Sequence, residues 1–352
     1  MAKTIDMYSS NAMLATSSSL IAPKLAILDM WFLQEQTEES EEVHFDIELK
    51  KRSVAPFVAP TSQGKIVESQ GFDSKTFKPA YLKPKTPLRP AAALKRAIGE
   101  GLTPSFSALQ RRQAALAQTL LEHKESVYRR LNIMATESLV KGQVTVKGEG
   151  YATKIVKFGR DESLSLKLLN GDRWDQDTAT PIDDLEAMAE RVHEIEGAEI
   201  TDIIMDPVAA KLFRKHKDVR EILDIRRAAG APTAELGGFN MAGTADGLKY
   251  LGNFGSFNVW VYSEYYEDPE TGLTVPVLAP GTVIGGSKQI EGIRAFGAIH
   301  DEEAGMQALP LFHKSWINPD PSYRLVMTQS APLVFPKRPN GSFSINVLGL
   351  DG

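Results

Sequence analysis

Residues Ser105 to Lys141 contain neither glycine nor proline, and signals for the two ends of a helix stand on either side of them. Thr103 is a good N-cap residue, Pro104 suits the first helical position, and Gly142 stands where a helix stops. Phe106, Leu109, Leu116, Leu120, Val127, Leu131 and Met134 recur at three-, four- and seven-residue spacings and make one apolar stripe. The pattern predicts a single helix of about 36 residues, roughly 54 Å long. Such a helix is longer than a small domain is wide, so it serves as a scaffold along which other parts are laid. A coiled-coil seam is the plainer alternative, but the stripe covers too few heptads to favour it.

The rest of the composition narrows the function classes. The chain has 352 residues, of which 42% are hydrophobic and 24% charged, enough apolar material for a sizeable core. A net charge of −5 does not suit a protein that coats nucleic acid. The absence of cysteine rules out disulfides, thiol nucleophiles and thiolate metal sites. The six histidines are scattered and form no HExxH pair, so no metal and no cofactor is expected. The apolar stretch Leu20 to Leu33 is broken by Pro23, Lys24 and Asp29, so neither a membrane span nor a signal peptide is expected. These features describe a soluble, intracellular protein with no membrane partner.

The first thirty residues, rich in Ser, Ala and Met, read as an extended arm that only a neighbour orders. An acidic run follows (Glu35, Glu38, Glu39, Glu41, Glu42), then strand-like stretches at Val43 to Leu49 and Lys65 to Ser69. Pro79, Pro84, Pro87 and Pro90 enforce an extended path. Residues 50–100 hold eleven Lys/Arg against three Asp/Glu and few large apolar side chains, so this excursion needs a partner surface. Intramolecular pairing of the acidic run would require a sharp reversal, and pairing with another subunit's basic excursion is at least as easy. After Gly142, alternation at Val144 and Val146, Ile155 to Phe158, and Leu164 to Leu168 predicts antiparallel strands. Residues 180–303, with 22 acids to 11 bases, read as an α/β region. In it a helix follows Thr180-Pro181, a buried strand spans Ile200 to Met205, and a second helix follows Asp206-Pro207. Gly230 to Gly247 reads as a surface loop, and strands are expected at Phe257 to Tyr262 and Val275 to Leu278. The strand patterns at Leu325 to Met327, Leu333 to Phe335 and Phe343 to Val347 are expected to rejoin the sheet begun after Gly142.

No catalytic motif rises above chance. Gly148-Glu149-Gly150 and Gly285-Gly286-Ser287-Lys288 lack the spacing of phosphate loops and read as turn glycines. Asp183/Asp184 and Glu302/Glu303 read as solvated charges, and His216, among Arg214, Lys215 and Lys217, as part of an exposed basic helix face. An α/β enzyme centred on residues 180–303 would need a deep pocket with perturbed titratable groups.

Five motifs in one order resemble a known family. The run Phe77-Lys78-Pro79-Ala80-Tyr81-Leu82-Lys83-Pro84-Lys85 resembles the proline-punctuated segment of the lambda-type phage major capsid proteins, the E family. Asp206-Pro207 with Leu212-Phe213-Arg214, Asp224-Ile225-Arg226-Arg227, and Gly292-Ile293-Arg294-Ala295-Phe296-Gly297 look like the same family. So does Trp316, Asp320-Pro321 followed by Met327-Thr328-Gln329-Ser330-Ala331-Pro332-Leu333. The resemblance covers most of the chain from about residue 40.

The resemblance implies an α+β, HK97-like capsid fold in five parts. These are an N-terminal arm (1–42), an extended E-loop (43–92), a spine helix with the first part of a peripheral (P) domain (93–179), an axial (A) domain (180–304) and the rest of the P domain (305–352). It further implies a non-enzymatic tailed-phage capsid protein that assembles with itself into hexamers and pentamers of an icosahedral shell around double-stranded DNA. The expected location is the virion capsid, assembled in the host cytoplasm. Expected partners are scaffolding, portal and decoration proteins, with non-specific contact to packaged DNA. Arm and E-loop residues expected to meet a neighbouring subunit are Trp31, Glu38, Glu41, Phe57, Phe77, Tyr81, Lys83 and Lys85. No covalent cross-link is expected, since no local pattern pairs a Lys with an Asn. A cellular encapsulin-type nanocompartment, which shares the fold and encloses an enzyme, is the alternative reading.

Overall fold

A computed structural model describes residues 6–49, 71–90, 106–148, 150–221 and 247–349, with 54–55, 57–61 and 63. The long helix is present, Ala108–Lys141, about 51 Å at 1.5 Å per residue. Its cap is Ser107, not Thr103. The Ser107 hydroxyl accepts from Gln110 N, and the Gln110 side chain accepts from Ser107 N at 2.7 Å, a reciprocal capping box. Phe106 and Leu109 are accordingly exposed, and the buried stripe begins at Leu116. Gly142 ends the helix at φ 65, in the left-handed region where glycine is favoured.

In chain order the elements before this helix are α1 (Ser10–Ser19), α2 (Ala26–Trp31), β1 (Gln34–Thr37), β2 (Val43–Leu49), β3 (Gly71–Phe77) and β4 (Lys85–Leu88). The spine is α3 (Ala108–Lys141). It is followed by β5 (Gln143–Gly148), β6 (Tyr151–Lys157), β7 (Ser165–Lys167), α4 (Pro181–Ile195), β8 (Asp202–Met205) and α5 (Pro207–Lys215). After residue 246 come β9 (Leu248–Phe254), β10 (Phe257–Tyr262), β11 (Tyr265–Glu267), β12 (Thr274–Pro276), β13 (Thr282–Gly286) and β14 (Gly292–Phe296). The last four strands are β15 (Phe312–Asn318), β16 (Tyr323–Gln329), β17 (Pro332–Pro336) and β18 (Ser342–Asn346). The expected strand at Lys65 to Ser69, the loop of Gly230 to Gly247 up to residue 246, and the motif at Asp224 to Arg227 lie outside the described residues.

A six-stranded sheet, ordered β7-β18-β13-β8-β10-β9, carries α4 and α5 and encloses one core. Asp206 opens α5 by accepting from Val208 N and Ala209 N, and it also accepts from Gly281 N at 2.9 Å. Thr180 precedes α4 but makes no side-chain cap. Asp184 is not a solvated helix-start charge. It accepts from Trp174 Nε1 at 2.8 Å, and burial holds its carboxyl above the usual range. His216 ends α5 with its side chain only 11% exposed, so it does not belong to an open basic face. Among the described residues the β5–β6 hairpin pairs only with itself, and the C-terminal strands rejoin the expected sheet only at β7. Strand β18 runs parallel to β7 and antiparallel to β13, inside the sheet of the α/β region. Arg160 enforces this, because its guanidinium donates to the last carbonyls of α3, Leu139 and Val140, and to Ser165 and Ser344.

A second core lies between the C-terminal half of α3, the sheet β1-β14-β17, strand β2 and helix α2. The arm is therefore part of the subunit's core and not a strap ordered by a neighbour. Leu25, Ile27, Leu28 and Phe32 are each no more than 3% exposed, and Trp31 is 4% exposed. Gly285 and Gly286 are strand residues, not turn residues. A side chain at Gly285 would enter the Phe343 ring, and one at Gly286 would enter the Trp31 indole. Strand β1 pairs parallel to β14, and Arg294 on β14 donates to the Phe32 carbonyl at 2.5 Å. Asn132, wholly buried on α3, ties three parts together. Its Oδ1 accepts from Leu28 N at 3.2 Å and its Nδ2 donates to the Tyr262 hydroxyl at 2.7 Å. Asn132→Ala leaves the Leu28 N–H unpaired, at about 1–3 kcal/mol, and opens a cavity, while the Tyr262 hydroxyl keeps Glu264. A loss of about 3 kcal/mol is expected in urea unfolding, with the unfolding slope unchanged.

The third sheet, β15-β16-β4, packs beside the N-terminal half of α3 and α1, with Met13, Leu116, Leu120 and Val326 buried between them. Here the Thr328 hydroxyl lies 2.9 Å from both His123 Nδ1 and His313 Nδ1, and Thr86 lies 2.9 Å from His123 Nε2. Burial, with His123 and Lys124 nearby, pushes the His313 pKa down to about 4, and burial also lowers that of His123. Both rings are neutral in the fold, whereas an unfolded histidine takes up a proton near pH 6.5. Stability should therefore fall as pH drops from about 6.5 toward 4. His313→Gln should flatten that part of a melting-temperature profile, and an unaltered profile would refute the assignment.

Candidate assembly surfaces

The reversal that would let the acidic run pair within its own chain is supplied by the β2–β3 hairpin. Its register sets Val43 against Phe77 and Leu49 against Gly71, so the start of the basic stretch returns to the acidic run. Glu41 then pairs with Lys78 at 2.5 Å and with His300 at 2.7 Å. The Lys78 ammonium, as hydrogen-bond partner, holds the Glu41 carboxyl below the usual carboxylate range. Glu38 accepts from His44 N and from Gln36 Nε2, each at 2.8 Å. Glu48 at the far end of β2 pairs with Lys337 at 2.6 Å and with Arg338 at 3.3 Å. Each of these three carboxylates thus has a partner within its own chain. Exposed pairs of this kind contribute little stability.

The base of the excursion belongs to the subunit's core. Val43, Phe45 and Ile47 on one face of β2 are no more than 2% exposed. Phe45 packs on Phe335 with ring centres 5.1 Å apart, and on Phe158. Phe77 packs against the same core under Lys154. Tyr81 donates from its hydroxyl to the Ala298 carbonyl at 2.8 Å and accepts from His300 N. Leu82 bridges to Ser330, and β4 pairs with β16.

Of the eight side chains expected to meet a neighbour, Trp31, Glu38, Glu41, Phe77 and Tyr81 are therefore engaged inside their own subunit. Alternation along β2 and the proline path beyond Phe77 were the signals for this, but tertiary pairing was needed to direct them inward. Lys83, Lys85 and Phe57 remain outward. Lys83 lies over the Tyr81 ring, 4.8 Å from its centre, and Lys85 is exposed on β4. Phe57 is fully exposed and Val54 is 88% exposed. These two residues, in the stretch between Leu49 and Gly71, are apolar side chains with no cover among the described residues. Among the described residues no group of acidic or histidine side chains could hold a metal ion, and no helix is long and apolar enough to cross a membrane.

Residues 9–347 match the model of the family described as phage major capsid protein E. The major capsid protein of Escherichia phage lambda is 27% identical over 350 residues, covering 97% of this chain and 100% of that protein. That of Escherichia phage N15 is 26% identical over 351 residues, with the same coverage. A prophage protein of E. coli CFT073, known from a crystal structure, superposes with a TM-score of 0.73 at 23% identity, over 96% of this chain and 98% of that one. The capsid of Ralstonia phage GP4 shares the fold at a TM-score of 0.54 and 15% identity, over 99% of this chain and 96% of that one. The spine, the arm packed along it, the hairpin excursion and the two sheet-bearing bodies are thus an HK97-like capsid fold, and the chain belongs to the phage major capsid protein E family.

Proposed function

We propose that this major capsid protein closes an icosahedral shell of hexamers and pentamers around double-stranded DNA, with a purely structural role. The observation that carries the reading is the excursion between Leu49 and Gly71. It bears uncovered Val54 and Phe57, while the subunit's own core ends at the hairpin base. Exposed apolar side chains gain stability only when another surface covers them. In this reading the neighbour is a second copy, and Phe57, Lys83 and Lys85 face it. The five-part division of the chain is proposed with two changes. Strands β2 and β3 belong to the body, and β18 of the C-terminal part completes the sheet of the axial region. Assembly in the host cytoplasm, scaffolding, portal and decoration partners, and loose contact with packaged DNA complete the proposal.

Electron microscopy of the expressed protein, alone and with its scaffold, should show closed shells. Only monomers and amorphous aggregate would count against the reading. Because Leu49 lies opposite Gly71, an Asn-Gly turn can replace residues 50–70 and close the hairpin directly. That variant should keep its circular dichroism and melting transition yet close no shells. Unfolding would mean that the excursion supports the core, and normal shells would remove its assembly role. Boiled shells should run as a single band near 38.6 kDa, whereas a ladder would reveal covalent cross-links.

A further inference from the structure

Arg89, Arg112 and Arg324 line one pocket of about 210 Å3, with Tyr8, Leu88 and Ile317 in its walls. The pocket sits where the arm, the end of β4, the start of α3 and the turn between β15 and β16 come together. Arg324 is held in place there. Its guanidinium stacks on Tyr8, 3.9 Å from the ring centre, and donates to Ser315 Oγ at 3.0 Å. The Ser315 hydroxyl in turn donates to the Tyr8 carbonyl at 3.1 Å. Among the described residues no carboxylate pairs with any of the three arginines. Elsewhere in this chain the cations at strand ends do find carboxylates, as Lys78, Lys314 and Lys337 do. Three like charges around one small cavity repel one another, and an incoming anion relieves that repulsion.

We propose that this pocket receives a carboxylate side chain from a second copy of the chain, so that it is a contact between copies in the shell. The proposal rests on the shell reading above. The walls favour a protein side chain over a nucleic-acid phosphate. They are half apolar, and Ile317 in the wall is 60% exposed. Arginine and tyrosine are among the residues enriched at protein–protein hot spots. A planar guanidinium pairs with a carboxylate through two parallel hydrogen bonds. Charge supplies the complement. Each copy has a net charge of −5, with 22 acids to 11 bases in residues 180–303, so a neighbour presents carboxylates in excess while a polyanion is repelled.

The double variant Arg89→Glu/Arg112→Glu changes exposed side chains that the fold does not use, so its melting temperature should match the wild type. Its yield of closed shells, by sedimentation at low salt, should fall at least tenfold. Wild-type yield in that variant would overturn the proposal, as would normal assembly combined with a loss of retained DNA, which would make the pocket a phosphate site. A second arm uses Arg112→Lys, which places a primary amine in the pocket, in shells assembled from mixed light and heavy isotope-labelled copies and treated with a carbodiimide. Peptides joining the substituted position of one copy to an Asp or Glu of another are expected, and adducts confined to one copy, or none at all, would overturn the assignment. If the wild-type chain itself closes no shells, the parent reading fails first and takes this one with it. Wild-type shells alongside unaffected variants remove this one alone.

Discussion

The structure depends on one buried amide. Asn132 sits wholly inside the apolar core, where an unsatisfied polar group costs about as much as a large part of a domain's net stability. It is satisfied only if α2 brings the Leu28 N–H and β10 brings the Tyr262 hydroxyl to the same turn of α3. The arm, the spine and the axial sheet therefore have one relative arrangement that pairs this amide with both. Greasy packing alone would tolerate sliding along so long a helix, whereas the amide sets the position along its axis.

Shape complementarity completes what the amide begins. Gly285, Gly286 and Gly292 lie in strands and present bare backbone to Phe343, Trp31 and Phe32 respectively. The arm's aromatic side chains thus lie directly against the β13 and β14 backbones, at a depth that no side chain at those positions would allow. Arg294 covers the free carbonyl at the end of α2 and reaches Asp29 and Glu35, so the charged rim closes over the aromatic contact. An arm held in this way is a structural member of the subunit before any neighbour arrives.

The same logic decides what is left for assembly. Opposite charges in the acidic run and the basic stretch meet within one chain, because the β2–β3 register brings Lys78 back to Glu41. Glu48 is matched by Lys337 and Arg338 at the other end of the strand. Outside these pairings stand exposed apolar side chains, among them Val54 and Phe57 on the excursion and Ile317 on β15, with the arginines beside the last. Large apolar groups with local charge around them are the usual materials of a specific interface between subunits.

Local chemistry by itself determined the spine, its glycine stop, strand β2, the helix behind Asp206-Pro207 and strand β10, because periodicity and capping act within a few residues. It also carried the family resemblance in five short motifs. It misplaced the spine's start, since Thr103-Pro104 and Ser107 with Gln110 are both plausible caps and only the reciprocal bonds of the second choose between them. The fates of Trp31, Glu38, Glu41 and Tyr81 were decided by tertiary structure alone. An aromatic or a carboxylate bears no local mark of whether its partner lies in its own chain or the next. Here the partners are Gly286, His44, Lys78 and Ala298, and for Trp31 and Tyr81 they stand more than two hundred residues away. Pairing at that distance is a property of the folded register, which the order of residue types along the chain does not disclose.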